Sequence, residues 1–308
     1  MNNNGIAVEV QNLRRTFGTF TAVDGINLAV KRGEIFGFLG PNGAGKSTTI
    51  RMLCGLLMPT SGSGTVGGFD IIREPEAIKK TIGYMSQKFS LYDNLTVEEN
   101  INFFGGVYSV QKEKREKRKE WVLNMAKIVE RRDSLTSTLA GGFKQRLALG
   151  CAILHEPPII FLDEPTSGVD PVSRRDFWGL IRDMADTGTT VFVTTHYMDE
   201  ADYCDKLALI YHGKIIAEGT PSELRNRFMK RDVLELETDK LVEAMEILTK
   251  HRIEAAIFGS TLHVTVEKAG EDVKKIAALL ATSGIELKKW EKIVPSLEDV
   301  FVTLIEVS

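Results

Sequence analysis

From Val8 to about Leu224, short apolar runs alternate with longer stretches of helical spacing, the pattern of an α/β core that contains parallel strands. Three runs predict buried strands: Ile35 to Leu39, Ile159 to Leu162 and Thr190 to Thr194. Each ends at a polar or glycine-rich segment, and such sheets place their ligands beyond the carboxyl ends of the strands. Between Ser86 and Pro158 the spacing turns helical, which predicts a helical subdomain over about residues 88–158 inserted into the core. Its mixed-charge run, Lys112 to Glu120, is interrupted by three glutamates and reads as a solvated helix face rather than a nucleic-acid surface.

A basic stretch from Arg225 to Arg231 marks a change in composition, and it divides the chain into expected domains of residues 1–228 and 229–308. In the tail, Leu241, Met245 and Leu248 share a helix face; Leu262, Val264 and Val266 alternate as in a strand; Val273, Ile276, Ala277 and Leu280 return to helical spacing. Ser296 and Asp299 form an S-x-x-D capping box, opening a last helix lined by Leu297, Val300, Phe301, Leu304 and Ile305. A small α+β domain is predicted.

The 308 residues suffice for one large or two modest domains with a substantial core. A net charge of -3 supplies no broad cationic surface, so nucleic acid is not an expected partner. No apolar stretch approaches the roughly 20 residues that cross a bilayer, so any membrane role requires a separate partner. The polar start, Met1 to Gly5, lacks the features of a secretory signal, and the expected location is the cytoplasm. Cys54, Cys151 and Cys204 are far apart without metal or redox spacing and read as small buried side chains.

The segment Gly40-Pro41-Asn42-Gly43-Ala44-Gly45-Lys46-Ser47 matches G-x-x-x-x-G-K-[ST] between the strand Ile35 to Leu39 and a helix through Ile50, Leu53 and Leu57. Glycines let successive backbone N–H groups turn towards an anion, and the helix that follows adds its positive N-terminal dipole. Lys46 is expected on the β- and γ-phosphates, with the Ser47 hydroxyl on a magnesium ion. The apolar strand from Ile159 ends in two adjacent acids, which places Asp163 for the metal and Glu164 for an attacking water.

A second glycine pair, in Leu139-Ala140-Gly141-Gly142-Phe143-Lys144-Gln145-Arg146-Leu147, resembles the L-S-G-G-Q signature of ATP-binding cassette (ABC) transporter ATPases. The resemblance runs over roughly residues 6 to 225. It implies an α/β P-loop NTPase (RecA-like) core with an inserted helical subdomain, ATP and Mg2+ as ligands, and hydrolysis of ATP. Gln87, in Met85-Ser86-Gln87-Lys88, is similar to the Q-loop glutamine that assists the metal or water and senses the transmembrane partner. Ser167-Gly168-Val169-Asp170 resembles the D-loop. His196, after the strand Thr190 to Thr195, resembles the switch histidine at the γ-phosphate. Phe17 falls where the family stacks an aromatic ring on adenine, with Phe20 as the rival. The implied ATP contacts are Phe17, Val23, Asn42, Gly43, Ala44, Gly45, Lys46, Ser47, Thr48 and Gln87, and the implied metal ligands are Ser47, Gln87 and Asp163.

In the family the signature acts on ATP held by the opposite subunit, so a second cassette, identical or different, is an expected partner. Two departures stand out. Ala140 replaces the signature serine, removing a hydroxyl that would meet γ-phosphate, and Phe143 replaces a glutamine. Losing one hydrogen bond to a charged group costs about 1.5–3 kcal/mol, so the opposite site is expected to be weakened rather than dead. The stretch Pro295 to Phe301 resembles the close of the carboxyl-terminal domain in ABC-2 type exporter ATPases, implying a peripheral subunit on the cytoplasmic face of the membrane with a separate permease. The segment around Leu91 to Val97 is the expected coupling surface. The alternative is a soluble cassette ATPase acting on ribosomes or DNA. Its translation-type members resemble two cassettes in one chain, and its repair members carry long coiled-coil or zinc insertions, neither of which is present here. Phosphate-loop kinases and GTPases lack the signature and D-loop.

Overall fold

The computed structural model describes residues 5–87, 91–229 and 231–306. Lys88 of the glutamine loop, Lys230 of the basic stretch and the first four residues, read above for a signal, lie outside the described residues. Contacts divide the chain at Pro221/Ser222 into two compact units.

The first unit opens with two 12-residue strands, β1 (Ile6–Phe17) and β2 (Phe20–Lys31), paired antiparallel so that Phe17 faces Phe20 across the turn. Strand β3 (Ile35–Leu39) leads through the glycine loop into helix α1 (Lys46–Leu53). Strands β4 (Ser61–Val66) and β5 (Phe69–Asp70) return to the first sheet, whose order is β2-β1-β4-β5. Helix α2 (Pro75–Thr81) and strand β6 (Ile82–Met85) precede the helical subdomain, which contains α3 (Val97–Val107), α4 (Lys112–Met125) and α5 (Gly141–Ala152). The chain then re-enters the core as β7 (Ile159–Asp163), α6 (Pro171–Asp186), β8 (Thr190–Thr195), β9 (Lys206–Tyr211) and β10 (Lys214–Gly219).

Among the described residues the second sheet has six strands in the order β10-β9-β3-β8-β7-β6. All neighbours are parallel except β9 and β10. Its central strands β3, β7 and β8 are buried throughout and read as largely apolar runs because both faces are covered. Phe36, Phe38, Phe161 and Phe192 point to one core with α1. Ile35, Ile160, Leu162, Val191 and Val193 point to the other, against Phe177, Trp178 and Ile181 of α6. Each such side chain contributes about 1.5–3 kcal/mol by full burial. The registers Leu39↔Thr195, Asp163↔Thr194 and Met85↔Leu162 bring four strand exits to one edge.

The helical subdomain packs around Val97, Ile101, Val122, Leu123, Leu147 and Cys151. Here one expectation needs correction: the run Lys112 to Glu120 is not wholly solvated. Lys119 is buried between Glu98 at 2.7 Å and Glu116 at 2.9 Å. Arg118 donates to the carbonyls of Ile153 at 2.9 Å and Leu154 at 3.1 Å, where α5 ends. Long stems cover apolar surface while their charged ends find fixed partners. Cys54, Cys151 and Cys204 are free and buried. No helix among the described residues is long and apolar enough to cross a membrane.

The second unit takes in nearly all of α7 (Pro221–Phe228), followed by β11 (Asp232–Thr238), α8 (Leu241–Lys250), β12 (Ala255–Phe258), β13 (Thr261–Val266), α9 (Ala269–Thr282), β14 (Leu287–Ile293) and α10 (Leu297–Glu306). Sheet order β12-β13-β11-β14 with a βαββαβ chain path is the split βαβ, ferredoxin-like arrangement. Leu234, Leu236, Leu262 and Val264 meet Leu248, Val273, Ile276 and Leu280 in its core. The Ser296 capping box forms: Ser296 N donates to Asp299 Oδ2 at 2.7 Å, and Asp299 N to Ser296 Oγ at 3.1 Å.

Candidate functional site

The glycine loop departs from β3 with two backbone positions that only glycine fills without strain. Gly43 has φ +82 and Gly45 φ +111. A Cβ on Gly45 would lie 2.4 Å from Ala22 O, and one on Gly40 would lie 2.2 Å from Ile210 O, whereas one on Gly43 would meet nothing within 4 Å. Gly40 and Gly45 therefore fit the loop to the sheet, and Gly43 leaves its outer side open. Asn42 and Gly43 are exposed, Ser47 and Thr48 partly so, and Ala44 is buried. Val23, expected to touch ATP, is fully buried and packs under Gly45 near its Cβ position, so it supports the loop and offers no surface to a nucleotide.

Lys46 is buried; Nζ donates to Gly40 O at 2.7 Å and Pro41 O at 3.1 Å, and lies 3.0 Å from Glu164 Oε1. Ser47 Oγ donates to Asp163 Oδ1 at 3.0 Å, and Thr194 Oγ1 donates to the same oxygen at 2.7 Å. Burial raises the Asp163 carboxyl above the ordinary aspartate range, opposed by the hydroxyls of Thr194 and Ser47. Two hydroxyls and a carboxylate form a hard oxygen set.

Glu164 takes φ +48, rare for a residue with a side chain, and its N–H is held by Thr194 O at 3.1 Å and Thr194 Oγ1 at 3.0 Å. The turn aims its carboxylate at three partners from three other strand exits. Besides Lys46, Gln87 Nε2 donates to Oε2 at 2.9 Å, and His196 Nδ1 lies 3.2 Å from the same oxygen. Gln87, expected as a metal ligand too, thus contacts Glu164 here, while Ser47 and Asp163 touch each other.

Phe17 and Phe20 are 46% and 62% exposed, so neither is a core residue. The Arg15 guanidinium lies 4.5 Å from the Phe17 ring centroid. In the signature, Leu139 is buried and Ala140 is the exposed N-cap of α5, with no side-chain hydrogen bond to the helix. A Cβ on Gly142 would lie 2.6 Å from Ser173 Oγ of α6, while Gly141 is open. The Phe143 ring is flanked by guanidinium groups of Arg131 at 5.2 Å and Arg146 at 4.7 Å. In the D-loop, Ser167 N donates to Glu164 O at 3.2 Å, Gly168 has φ +74, and Asp170 caps α6 by accepting from Val172 N at 3.1 Å and Ser173 N at 2.9 Å. Sequence reasoning missed Thr194, whose signal was only its place before His196 on a predicted strand.

Residues 23–167 match the family model described as ABC transporter, and residues 219–305 match the C-terminal domain of DrrA1-3-like ATP-binding proteins. Residues 142–198 also match an AAA domain model. The chain is 53% identical over 218 residues to the probable multidrug ABC transporter ATP-binding protein YbhF of Escherichia coli, covering 71% of this chain and 38% of that protein. It is 35% identical over 304 residues to the linearmycin resistance ATP-binding protein LnrL of Bacillus subtilis, covering 96% of this chain and 97% of that one. A dimeric ATP-binding cassette in a post-hydrolysis state bound to ADP and Pi superposes with a TM-score of 0.64 at 28% identity, over 69% of this chain and 98% of that chain. The chain belongs to the ABC transporter ATP-binding family and carries the C-terminal domain of its DrrA-like members.

Proposed function

We propose that this chain is the ATP-hydrolysing subunit of an ABC-2 type exporter, driving translocation through a separate membrane-embedded permease from the cytoplasmic face. The observation that carries the chemistry is the convergence of Lys46, Gln87 and His196 on the Glu164 carboxylate at adjacent strand exits. Glu164 orients the attacking water, Lys46 holds the β- and γ-phosphates, His196 contacts the γ-phosphate, and Gln87 assists the metal or the water. Ser47 and Asp163 suit Mg2+, which favours oxygen ligands and when bound neutralises phosphate charge. Phe17 stacks on adenine.

Each chain supplies its glycine loop to one ATP and its signature, through the N–H groups at the start of α5, to the ATP of a second copy. Closure is driven by the difference in nucleotide affinity between the closed and open pair, and hydrolysis releases it. Export is supported by LnrL, a resistance protein alike over the full chain, and by the DrrA-like tail. Next to the glutamine loop, Tyr92 and Phe103 are 45% and 42% exposed with ring centroids 4.7 Å apart, an apolar surface suited to a permease loop.

Glu164→Gln is expected to bind ATP normally and lose turnover by about 10²-fold or more, the scale of general-base catalysis. Lys46→Ala is expected to weaken ATP binding itself. Wild-type ATPase in both variants would defeat the assignment.

A further inference from the structure

A buried carboxylate outside the constellation above lies between the loops that carry Glu164 and His196. Glu200, in the 3-10 turn Met198–Tyr203 after β8, has no exposed surface. Its Oε1 accepts a 2.6 Å hydrogen bond from Thr166 Oγ1, two residues beyond Glu164. The same oxygen lies 3.6 Å from Arg174 Nε on α6, and Oε2 has no hydrogen-bond partner among the described residues. The Arg174 guanidinium sits 4.1 Å from the Tyr197 ring centroid and 3.3 Å from Asp199. Tyr197 in turn packs on His196, with centroids 4.1 Å apart.

Stripping a carboxylate of all water is costly, and one hydroxyl with one loose ion pair compensates it incompletely. An apolar side chain would fill the space with less penalty. What the carboxylate adds is directional geometry. Glu164 is held at φ +48, a conformation that persists only where its surroundings over-determine it. Thr194 fixes that turn on the β8 side through two bonds to Glu164 N, and the Thr166–Glu200 bond fixes it on the other. Arg174 follows Ser173, the residue against which signature Gly142 packs, so the surface offered to a second cassette is tied to the same point.

We infer that Glu200 is a positioning residue for hydrolysis: through Thr166 and Arg174 it locks the turn from Glu164 to Asp170 onto the loop bearing His196. This rests on the reading of Glu164 and His196 as hydrolytic groups. Because Glu200 touches none of residues 40–47 in the contacts above, its role falls on kcat and not on ATP affinity.

The test is steady-state ATPase of the full chain, per active site, for Glu200→Ala, Thr166→Val, Thr166→Ser and Glu164→Gln, with melting temperatures alongside. Glu200→Ala and Thr166→Val are each expected to lower kcat about 10-fold or more, as small misplacements do, with KM for ATP unchanged. Thr166→Ser keeps the hydroxyl and restores turnover, and combining the two damaging changes costs no more than either alone. Should Glu200→Ala fail to fold, the Thr166 pair decides. Wild-type kcat in folded Glu200→Ala or Thr166→Val, or equal damage in Thr166→Ser and Thr166→Val, overturns the inference. Turnover retained by Glu164→Gln sinks the underlying reading of the site. Turnover lost there but intact in the Glu200 and Thr166 variants sinks the lock alone.

Discussion

Ala140 occupies the N-cap of α5 with extended dihedrals, φ -65 and ψ 154, and no side-chain hydrogen bond to the helix. That geometry suits a serine, whose hydroxyl would accept from the first-turn N–H groups. The missing hydroxyl therefore has two consequences, one inside the chain and one across to the second cassette. Ala140→Ser is expected to raise stability by about 1 kcal/mol, the usual worth of such a cap, and to raise ATPase. Thermal melting without nucleotide reads the first effect and turnover the second. Higher stability without faster turnover would show that the hydroxyl acts only on the helix. At Phe143 the substitution is absorbed locally, because Arg131 and Arg146 flank the ring.

At the scale of elements, α3 and α4 are joined by Lys119, which hydrogen-bonds Glu98 and Glu116. The bond from Lys119 holds the Glu98 carboxyl below its ordinary value of 4.5. A depressed carboxylate adds stability that is present above the unfolded value and is lost as pH falls through the folded one. Lys119→Met is thus expected to lower the urea midpoint near neutral pH, and its gap from the wild type to narrow as pH falls below about 4.5. A gap independent of pH would show that the stem, not the charge, joins the helices.

The central strands were legible because burial on both faces made them continuous apolar runs ending at chemical motifs. The run Ile35 to Leu39 matches β3, and the other two differ from β7 and β8 by one residue. By contrast, β1, β2, β4 and β5 were hidden in a general alternation, since an antiparallel sheet mixes exposed Arg and Thr positions with buried ones. In the tail, β14 is too exposed to announce itself, with five of its seven residues facing solvent, whereas β13 alternates cleanly. For the site, Lys46, Asp163, Glu164 and His196 could be named from motif and strand end. Their meeting at Glu164 could not, because it depends on sheet order and on one positive φ. The buried Lys119 and half-buried Arg118 were misplaced because charge alone does not tell which end of a long side chain is covered.

On the scale of the whole molecule, the glycine loop and the signature are separate surfaces, and the proposed function joins them across two cassettes. The three native cysteines are buried, while Asn42 in the loop and Ala140 in the signature are exposed, so single cysteines at those two positions would be the reactive thiols. The most direct test mixes Asn42→Cys and Ala140→Cys chains, each also carrying Glu164→Gln, and treats them with a short bifunctional thiol reagent with and without MgATP. A cross-linked dimer is expected to form with MgATP and to be lost when Lys46→Ala is added to the Asn42→Cys chain. No cross-link with MgATP, or the same yield whether or not Lys46 is present, would contradict the proposed function.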